Sequence, residues 1–307
     1  MLWEKDALIG KAKVYIQRAF ETESRDSELF PFWATIGLEF IGRAVLASVH
    51  PSLLADPQTP EAVLFACGIG DASKAKSVHA KTVFARCRLI AADFTQSDFA
   101  FCMSLAEKRN EELHSAAAAF EGFETEKWLA DYYRVLEKLL LHLKLDLSHM
   151  LSDEDVSAAA QMVAAATKVL LGEVKKKIEK HKTAYGSLGP EKIAVLRSAF
   201  KSSQLSFRGP TKKDVKCPAC GEDCLVSGEI FRSTDPKLVG DELFWESTIL
   251  PNILRCGVCG LELRGHDALH IAELGGQFTM MRWRDAAEYY LEGVDPSSFY
   301  EEEYNNS

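Results

Sequence analysis

Two Cys-x-x-Cys-Gly motifs constrain the fold of this chain more than any other feature of its sequence. They begin at Cys217 and Cys256, and 35 residues separate Cys220 from Cys256. Two residues between paired cysteines form a tight turn that directs both sulfurs at one ion, and the following glycine permits a positive φ. Two such turns supply the four thiolates of a closed tetrahedral zinc site. We therefore predict that Cys217, Cys220, Cys256 and Cys259 bind a structural Zn²⁺.

Three further candidate ligands lie close to these motifs. Cys224 follows Cys220 by four residues, and we interpret it as a spare thiol in a strand. His266 and His270 follow the second motif, but four thiolates leave no open coordination position for them. We expect each histidine to pack in the core or to lie on the surface. The zinc is predicted to stabilise the fold and to take no part in catalysis.

Composition and charge limit the class of protein. The chain has 307 residues, of which 47% are hydrophobic, enough for one large domain or two ordinary ones with a proper core. The net charge of -9 excludes a uniformly basic coat for nucleic acid. The charge is also uneven, because residues 1–204 carry 26 basic and 27 acidic side chains, whereas 205–307 carry 10 and 18.

The cellular location is predicted from the N-terminus and the cysteines. The first residues, MLWEKDALIGKAKVYIQ, lack the pattern of a signal peptide, and no window of 18 apolar residues occurs. We therefore expect a cytoplasmic protein without a membrane partner. In that reducing compartment its eight cysteines are expected to be thiols or metal ligands, not disulfides.

Hydrophobic periodicity divides the chain into a helical part and a β-rich part. Helical patterns cover 3–20, 32–49, 61–69, 75–91, 97–120, 124–149, 153–183 and 190–203. After a polar linker at 205–216, short β-like runs cover 224–230, 243–249, 253–255 and 261–264, and helical patterns return at 267–274 and 284–292. The predicted fold class is mainly α: an N-terminal helical bundle at 1–204, then a small β-rich zinc-binding region with a helical tail at 217–307.

A second motif, Arg109-Asn110-Glu-Glu-Leu-His114, lies inside the predicted helix 97–120. On a helical projection, Asn110 falls in the middle of an apolar stripe, with Arg109 on one flank and His114 on the other, about 140° apart. The stripe consists of Phe99, Met103, Ala106, Asn110, Leu113 and Ala117. If the stripe packs on a second copy of the chain, Arg109 and His114 of both copies line one shared cleft.

The residue types of this motif are suited to RNA cleavage. A histidine that titrates near neutral pH can take the proton of a 2′-hydroxyl or protonate the leaving 5′-oxygen. Arginine offers a planar fork of donors to the phosphate, and asparagine can orient either group. No metal is needed, because the RNA supplies its own nucleophile. The alternative interpretation is a structural interface helix with an ion-pair cluster.

Arg109, Asn110 and His114 on a helix resemble the R-x(4–6)-H motif of the HEPN superfamily, in which asparagine often follows the arginine directly. The resemblance covers about residues 1–150 and leaves 151–204 as a helical extension. It implies an all-α bundle that dimerises through the motif helix, and a metal-independent endoribonuclease with Arg109 and His114 as catalytic residues supported by Asn110. Many members of the family are toxins or antiphage effectors, which implies an antitoxin or another regulatory partner, and other members are non-catalytic.

The two cysteine motifs resemble a zinc ribbon over about 50 residues, a module of both nucleic-acid-binding and protein-binding proteins. Two functions therefore stay open. The preferred one is an endoribonuclease that leaves 2′,3′-cyclic phosphate and 5′-hydroxyl ends, with a ribbon that recognises RNA, DNA or a regulatory protein. The alternative is a non-catalytic adaptor or regulator with a helical dimerisation domain.

Two lysine-rich runs in the helical part are also candidates for contact with phosphate. The first covers 74–88, and the second comprises Lys175–Lys177, Lys180 and Lys182. A solvated helix face is the ordinary explanation for either run, but both lie in the region that would have to hold RNA.

Overall fold

The computed structural model describes residues 2–207 and 211–292 of the chain. It divides into two compact units between Leu170 and Leu171. The dividing line falls within a single long helix, α7, at Asp153–Gly186. The sequence placed 151–204 with the helical bundle, whereas residues 171–207 belong to the second compact unit.

In its described residues, the first unit is built from helices, with one isolated antiparallel bridge between Ala55 and Ser77. Its α-helices are α1 (Lys5–Phe20), α2 (Leu29–Val49), α3 (Pro60–Ala66), α4 (Ala80–Ile90), α5 (Gln96–His114), α6 (Leu129–His142) and the first half of α7. Four short 3₁₀ turns lie between them, at Pro51–Leu54, Ala72–Lys74, Thr125–Lys127 and Leu147–His149.

Helix α2 forms the centre of this unit. It packs along α1 and also contacts α4, α5 and α6, and thirteen of its residues are buried. Gly37 permits the close approach of α1, since a Cβ at that position would lie 2.5 Å from Ile16 Cγ1. Among the described helices, α2 is the one that is long and apolar enough to span a membrane, but 56% of its most apolar window is buried in the protein. Its composition is that of a core helix.

The second unit contains the rest of α7, α8 (Pro190–Phe207) and a six-stranded antiparallel sheet. The strands are β1 (Lys212–Lys216), β2 (Asp223–Ser233), β3 (Lys237–Val239), β4 (Glu242–Arg255), β5 (Glu262–Arg264) and β6 (Phe278–Asp285). Two short helices, α9 (His266–Ile271) and α10 (Ala286–Leu291), flank β6 in sequence.

The 14-residue strand β4 organises the sheet. Its pairing partners are β2, β3, β5 and β6, and β1 extends the sheet beyond β2. Val239 pairs with Glu242, so Gly240 and Asp241 form a two-residue hairpin turn in which Gly240 has φ +63°. Strand β4 ends at Arg255, so the second cysteine motif begins directly after the central strand of the sheet.

The structure confirms the predicted fold class and moves several predicted boundaries. Helix α5 ends at His114 and not at residue 120, because the chain folds back and is held by the side chains of α5. Lys108 Nζ donates to the carbonyl oxygen of Ala119 at 2.9 Å, and Glu112 accepts the N–H of Ala119 at 2.7 Å. Strand β1 lies inside the predicted linker, and β3 and β6 were not predicted.

Candidate functional site

The four cysteines of the two Cys-x-x-Cys motifs form one cluster, called here the cysteine cluster. Their sulfur atoms all lie within 4.8 Å of one another, with 3.6 Å between Cys217 and Cys259 and 3.6 Å between Cys220 and Cys256. Metal–sulfur bonds of about 2.3 Å in a tetrahedron place the sulfurs about 3.8 Å apart. The cluster therefore has the ligands and the spacing to hold one tetrahedral metal ion.

Each motif is a knuckle with the same backbone hydrogen bonds. In the first knuckle, Gly221 N–H donates to Cys217 O and Cys217 N–H donates to Glu222 O, both at 2.9 Å. The second knuckle repeats this pattern from Cys256, with distances of 2.9 and 3.0 Å. Gly221 and Gly260 have φ of +74° and +72°, the conformation that the sequence predicted for the glycine after each pair.

Without a cation, the crowded thiols of the cluster compete for protons. Hydrogen bonds from the thiols of Cys224, Cys256 and Cys259 lower the pKa of Cys217. The same contact with Cys217 raises the pKa of Cys259, and burial raises the pKa of Cys220 to about 12. A bound metal must therefore displace protons from the cluster, which makes its affinity depend on pH.

Cys224, the fifth cysteine of this region, lies in β2 and is fully buried. Its thiol donates to the sulfur of Cys217 but does not belong to the group of four that can hold a metal. Of the two nearby histidines, His266 contacts the carbonyl oxygen of Pro251 at 3.2 Å. Among the described residues, neither histidine belongs to a cluster of metal ligands.

Helices α7 and α8 brace both knuckles from outside the cluster. His181 Nδ1 donates to the carbonyl oxygen of Cys259 at 2.8 Å. Glu222, which directly follows the first knuckle, accepts a hydrogen bond of 2.8 Å from Tyr185 and two from Arg197, at 2.8 and 2.6 Å. These bonds, with those from Arg197 the strongest, lower the pKa of Glu222 to about 2. The helical segment at 171–207 thus supports both knuckles of the cysteine cluster directly.

A close steric contact joins α8 to the second knuckle. A Cβ placed on Gly257 would lie 2.2 Å from Phe200 Cδ2 and 2.6 Å from its Cγ. The backbone of Gly257 does not have a positive φ, so glycine is not required there for its backbone conformation. Glycine is required because a side chain would collide with Phe200. Phe200 can therefore approach the knuckle this closely only because residue 257 is glycine.

The structure also places the second predicted site, on α5. Thr95 and Asp98 form a capping box at the start of this helix, and Lys138 of α6 contacts Asp98 at 2.8 Å. Near the other end, Arg109 Nη2 forms an ion pair of 2.9 Å with Glu39 of α2. The Arg109 side chain is only 16% exposed, and its buried Nε has no hydrogen-bond partner among the residues that the structure describes.

Glu39 was not among the residues predicted from sequence, although it connects two arginines. Its Oε1 accepts from Arg43 Nε and Nη2 at 3.0 and 2.6 Å, and its Oε2 accepts from Arg109. Arg43 also donates to Ser77 Oγ and Val78 O. One carboxylate thus faces two guanidinium groups, which leaves one positive charge in excess. A charged pair four residues apart in the otherwise apolar α2 is the signal that could have indicated this network.

Asn110 and His114 lie on the exposed surface of α5, and His114 is its last helical residue. The predicted stripe is therefore split. Ala106 is buried, whereas Asn110 and Leu113 face solvent, Leu113 with 54% exposure. Ala117 lies beyond the end of the helix. Within one chain, Arg109 and His114 diverge by about 140° and are about 7.5 Å apart along the axis.

The two lysine-rich runs differ in the structure. In the first, Arg86 donates to Leu53 O, Arg88 contacts Gln96, and Lys76 pairs with Asp56, so much of its charge serves internal contacts. The lysines of the second run are exposed on α7.

In comparisons with known proteins, no family model, no curated protein and no solved structure matches the chain. The assignment of a function therefore rests on the side chains and their geometry.

Proposed function

We propose that the chain is a metal-independent endoribonuclease of the HEPN type, with Arg109 and His114 as its catalytic residues and Asn110 in support. One observation carries the proposal: the same helix presents a fixed, partly buried arginine and, five residues later, an exposed histidine. Glu39 fixes the position of the arginine, and the excess positive charge of the network favours an anionic ligand such as a phosphodiester.

The reaction needs only groups of the protein and of the RNA. His114 takes the proton of the 2′-hydroxyl, and the 2′-oxygen attacks the adjacent phosphorus. The bond from phosphorus to the 5′-oxygen breaks, a second protonated histidine donates to that oxygen, and a 2′,3′-cyclic phosphate and a 5′-hydroxyl result. Arg109 stabilises the charge that develops on the phosphate oxygens.

A second copy of the chain would supply the second histidine. The divergence of Arg109 and His114 around α5 favours a composite site at a two-fold axis over a site within one chain. The exposed half of the stripe, with Asn110 and Leu113, offers α5 a surface for this contact. We accordingly propose a homodimer formed through α5.

The metal of the cysteine cluster is proposed to be zinc in a structural role. Four thiolates at tetrahedral spacing fill the coordination shell, so no position is left for substrate or water. Zinc is redox-inert and holds thiolates in a reducing compartment, which agrees with the proposed cytoplasmic location. A toxin or antiphage role, with an antitoxin or another regulatory partner, is the biological setting that this activity suggests.

The test is RNA cleavage in buffer with EDTA, with the zinc content of the protein measured after the incubation. The wild type should cleave and leave 2′,3′-cyclic ends, and His114→Ala should not. The matched control is His79→Ala, which removes another exposed histidine of the same unit and should cleave as the wild type does. No cleavage by the wild type, or equal cleavage by all three proteins, would refute the enzymatic proposal.

A non-catalytic adaptor or regulator is the second candidate. The ion pair between Arg109 and Glu39 favours it, because docking of α5 on α2 is by itself a sufficient role for this pair. This function predicts that the wild type binds RNA or a protein partner without turnover, and that His114→Ala leaves the binding unchanged.

A further inference from the structure

Positive charge is concentrated in one segment of an otherwise acidic protein. Residues 171–216 contain 12 Lys or Arg and four Asp or Glu, a net charge of +8, whereas the whole chain has -9. The segment comprises the second half of α7, the helix α8 and the strand β1. A concentration of this kind creates a local positive potential that net charge alone conceals.

The second half of α7 has one inward stripe, and its lysines lie outside that stripe. Val174 is buried, and Ile178, His181 and Tyr185 are partly buried along the same stripe. His181 and Tyr185 of this stripe bind the two knuckles. Four exposed lysines spread over about 200° of the remaining circumference, which also carries the exposed Glu173 and Glu179. These lysines are Lys175, Lys176, Lys177 and Lys180, called here the lysine face.

The lysine face is available to an external ligand. Among residues 2–207 and 211–292, none of its four side chains forms a salt bridge or a hydrogen bond. The neighbouring Lys182, in contrast, pairs with Glu179. The exposed Lys192 and Lys201 add to the charge from α8. The contacts of His181 and Tyr185 with the knuckles hold the helix that carries these lysines.

We propose that the lysine face binds the phosphate backbone of RNA. This inference rests on the proposed function only in taking RNA as the ligand. The lysine face would be the surface on which the RNA substrate docks. Lysine ammonium groups recognise phosphates as point charges without reading the bases, so binding should be salt-dependent and tolerant of sequence.

An anionic membrane is the competing ligand for a basic helix, but this helix lacks the means to insert. Insertion requires a free apolar face beside the lysines. The inward stripe of this part of α7 is not free, because Val174 is buried and His181 and Tyr185 bind the knuckles. The available lysines can therefore contact phosphates but cannot anchor the helix in lipid.

The experiment measures binding of a 5′-fluorescein-labelled, unstructured 20-nucleotide RNA by fluorescence anisotropy. All proteins carry His114→Ala, so that binding is observed without cleavage and a failure of the catalytic proposal is distinguishable from a failure of this one. In the test variant, the four lysines of the lysine face are changed to Gln. In the control variant, four exposed lysines of the first unit that lie outside the basic run at 74–88 are changed to Gln: Lys5, Lys13, Lys127 and Lys144. Both variants have the same net charge.

The test variant should bind on the order of 10- to 100-fold more weakly at 0.1 M salt, and its plot of log K against log salt should be shallower by about three. The control should bind as its parent does. Four outcomes would overturn the proposal: no RNA binding by the parent, equal loss in both variants, no loss in the test variant, or a loss confined to phosphatidylserine vesicles in a parallel flotation assay.

Discussion

The contact between Gly257 and Phe200 allows a quantitative test of how α8 supports the metal site. In Gly257→Ala, the new Cβ would lie 2.2 Å from Phe200 Cδ2, whereas carbon atoms in contact are about 3.5–4.0 Å apart. The phenyl ring must therefore withdraw by about 1.5 Å. Overpacking of this size costs about 1–3 kcal/mol. A cost of about 2 kcal/mol corresponds to a roughly 30-fold shift toward the undocked helix.

Hydrogen exchange detected by mass spectrometry can measure this shift. Exchange of the amides of α8 should be about 30-fold faster in Gly257→Ala, because local opening sets their exchange rate. The matched control is Gly276→Ala, since no atom lies within 4 Å of a Cβ at Gly276 and its φ is not positive. Exchange in the control should equal that of the wild type. Equal exchange in both glycine variants would refute the packing argument.

A double-mutant cycle then tests whether Phe200 is the group that clashes. Phe200→Ala removes the ring, so Gly257→Ala should cost less than about 0.5 kcal/mol in that background. If the two substitutions are additive, the ring does not press on the knuckle as the structure indicates. Metal should be released to a colorimetric chelator faster from Gly257→Ala than from the wild type or Gly276→Ala, because the knuckle loses its support when α8 undocks.

Three more predictions concern other parts of the chain. Cys256→Ser should lose the bound metal, measured as equivalents of zinc per chain, while Cys224→Ala keeps about one equivalent because it lies outside the ligand group. Glu39→Gln should lower the free energy of unfolding by about 3 kcal/mol in urea titrations, since it leaves two guanidinium groups unneutralised, and Arg109→Gln should cost less because Arg43 still pairs with the carboxylate; an equal loss would contradict the network. Burial lowers the pKa of His142, so the unfolded chain binds its proton more readily, and stability should fall as the pH drops through the ordinary value of 6.5; His142→Gln should flatten this fall, and an unchanged pH profile would contradict it.

Sequence reasoning succeeded where the structural information is local. The two knuckles depend on five consecutive residues each, so their turns and their positive-φ glycines could be predicted from spacing alone. The long helices followed from apolar periodicity over many turns. The end of α5 could not be predicted, because it depends on capture of Ala119 by Lys108 and Glu112.

Features that depend on distant partners were not predictable. Strand β6 pairs with β4, and its first pair, Phe278 with Ile249, joins residues about 30 positions apart in the chain. The alternating burial of β6 arises from this pairing and is not evident from its residue types alone. Glu39 acquires its second partner 70 residues later, at Arg109. The catalytic proposal for Arg109, Asn110 and His114 likewise stays a prediction until cleavage is measured.

The apolar character of α2 has a consequence for the synthesis of the protein. When the ribosome has released α2, its partner α1 has already been made, whereas its partners α4, α5 and α6 emerge later in translation. A segment with the length and hydropathy of a membrane-spanning helix thus stays exposed on the nascent chain while tens of further residues are synthesised. A chain that stops before Leu129 should aggregate or bind chaperones and membranes, although the complete unit buries the same helix.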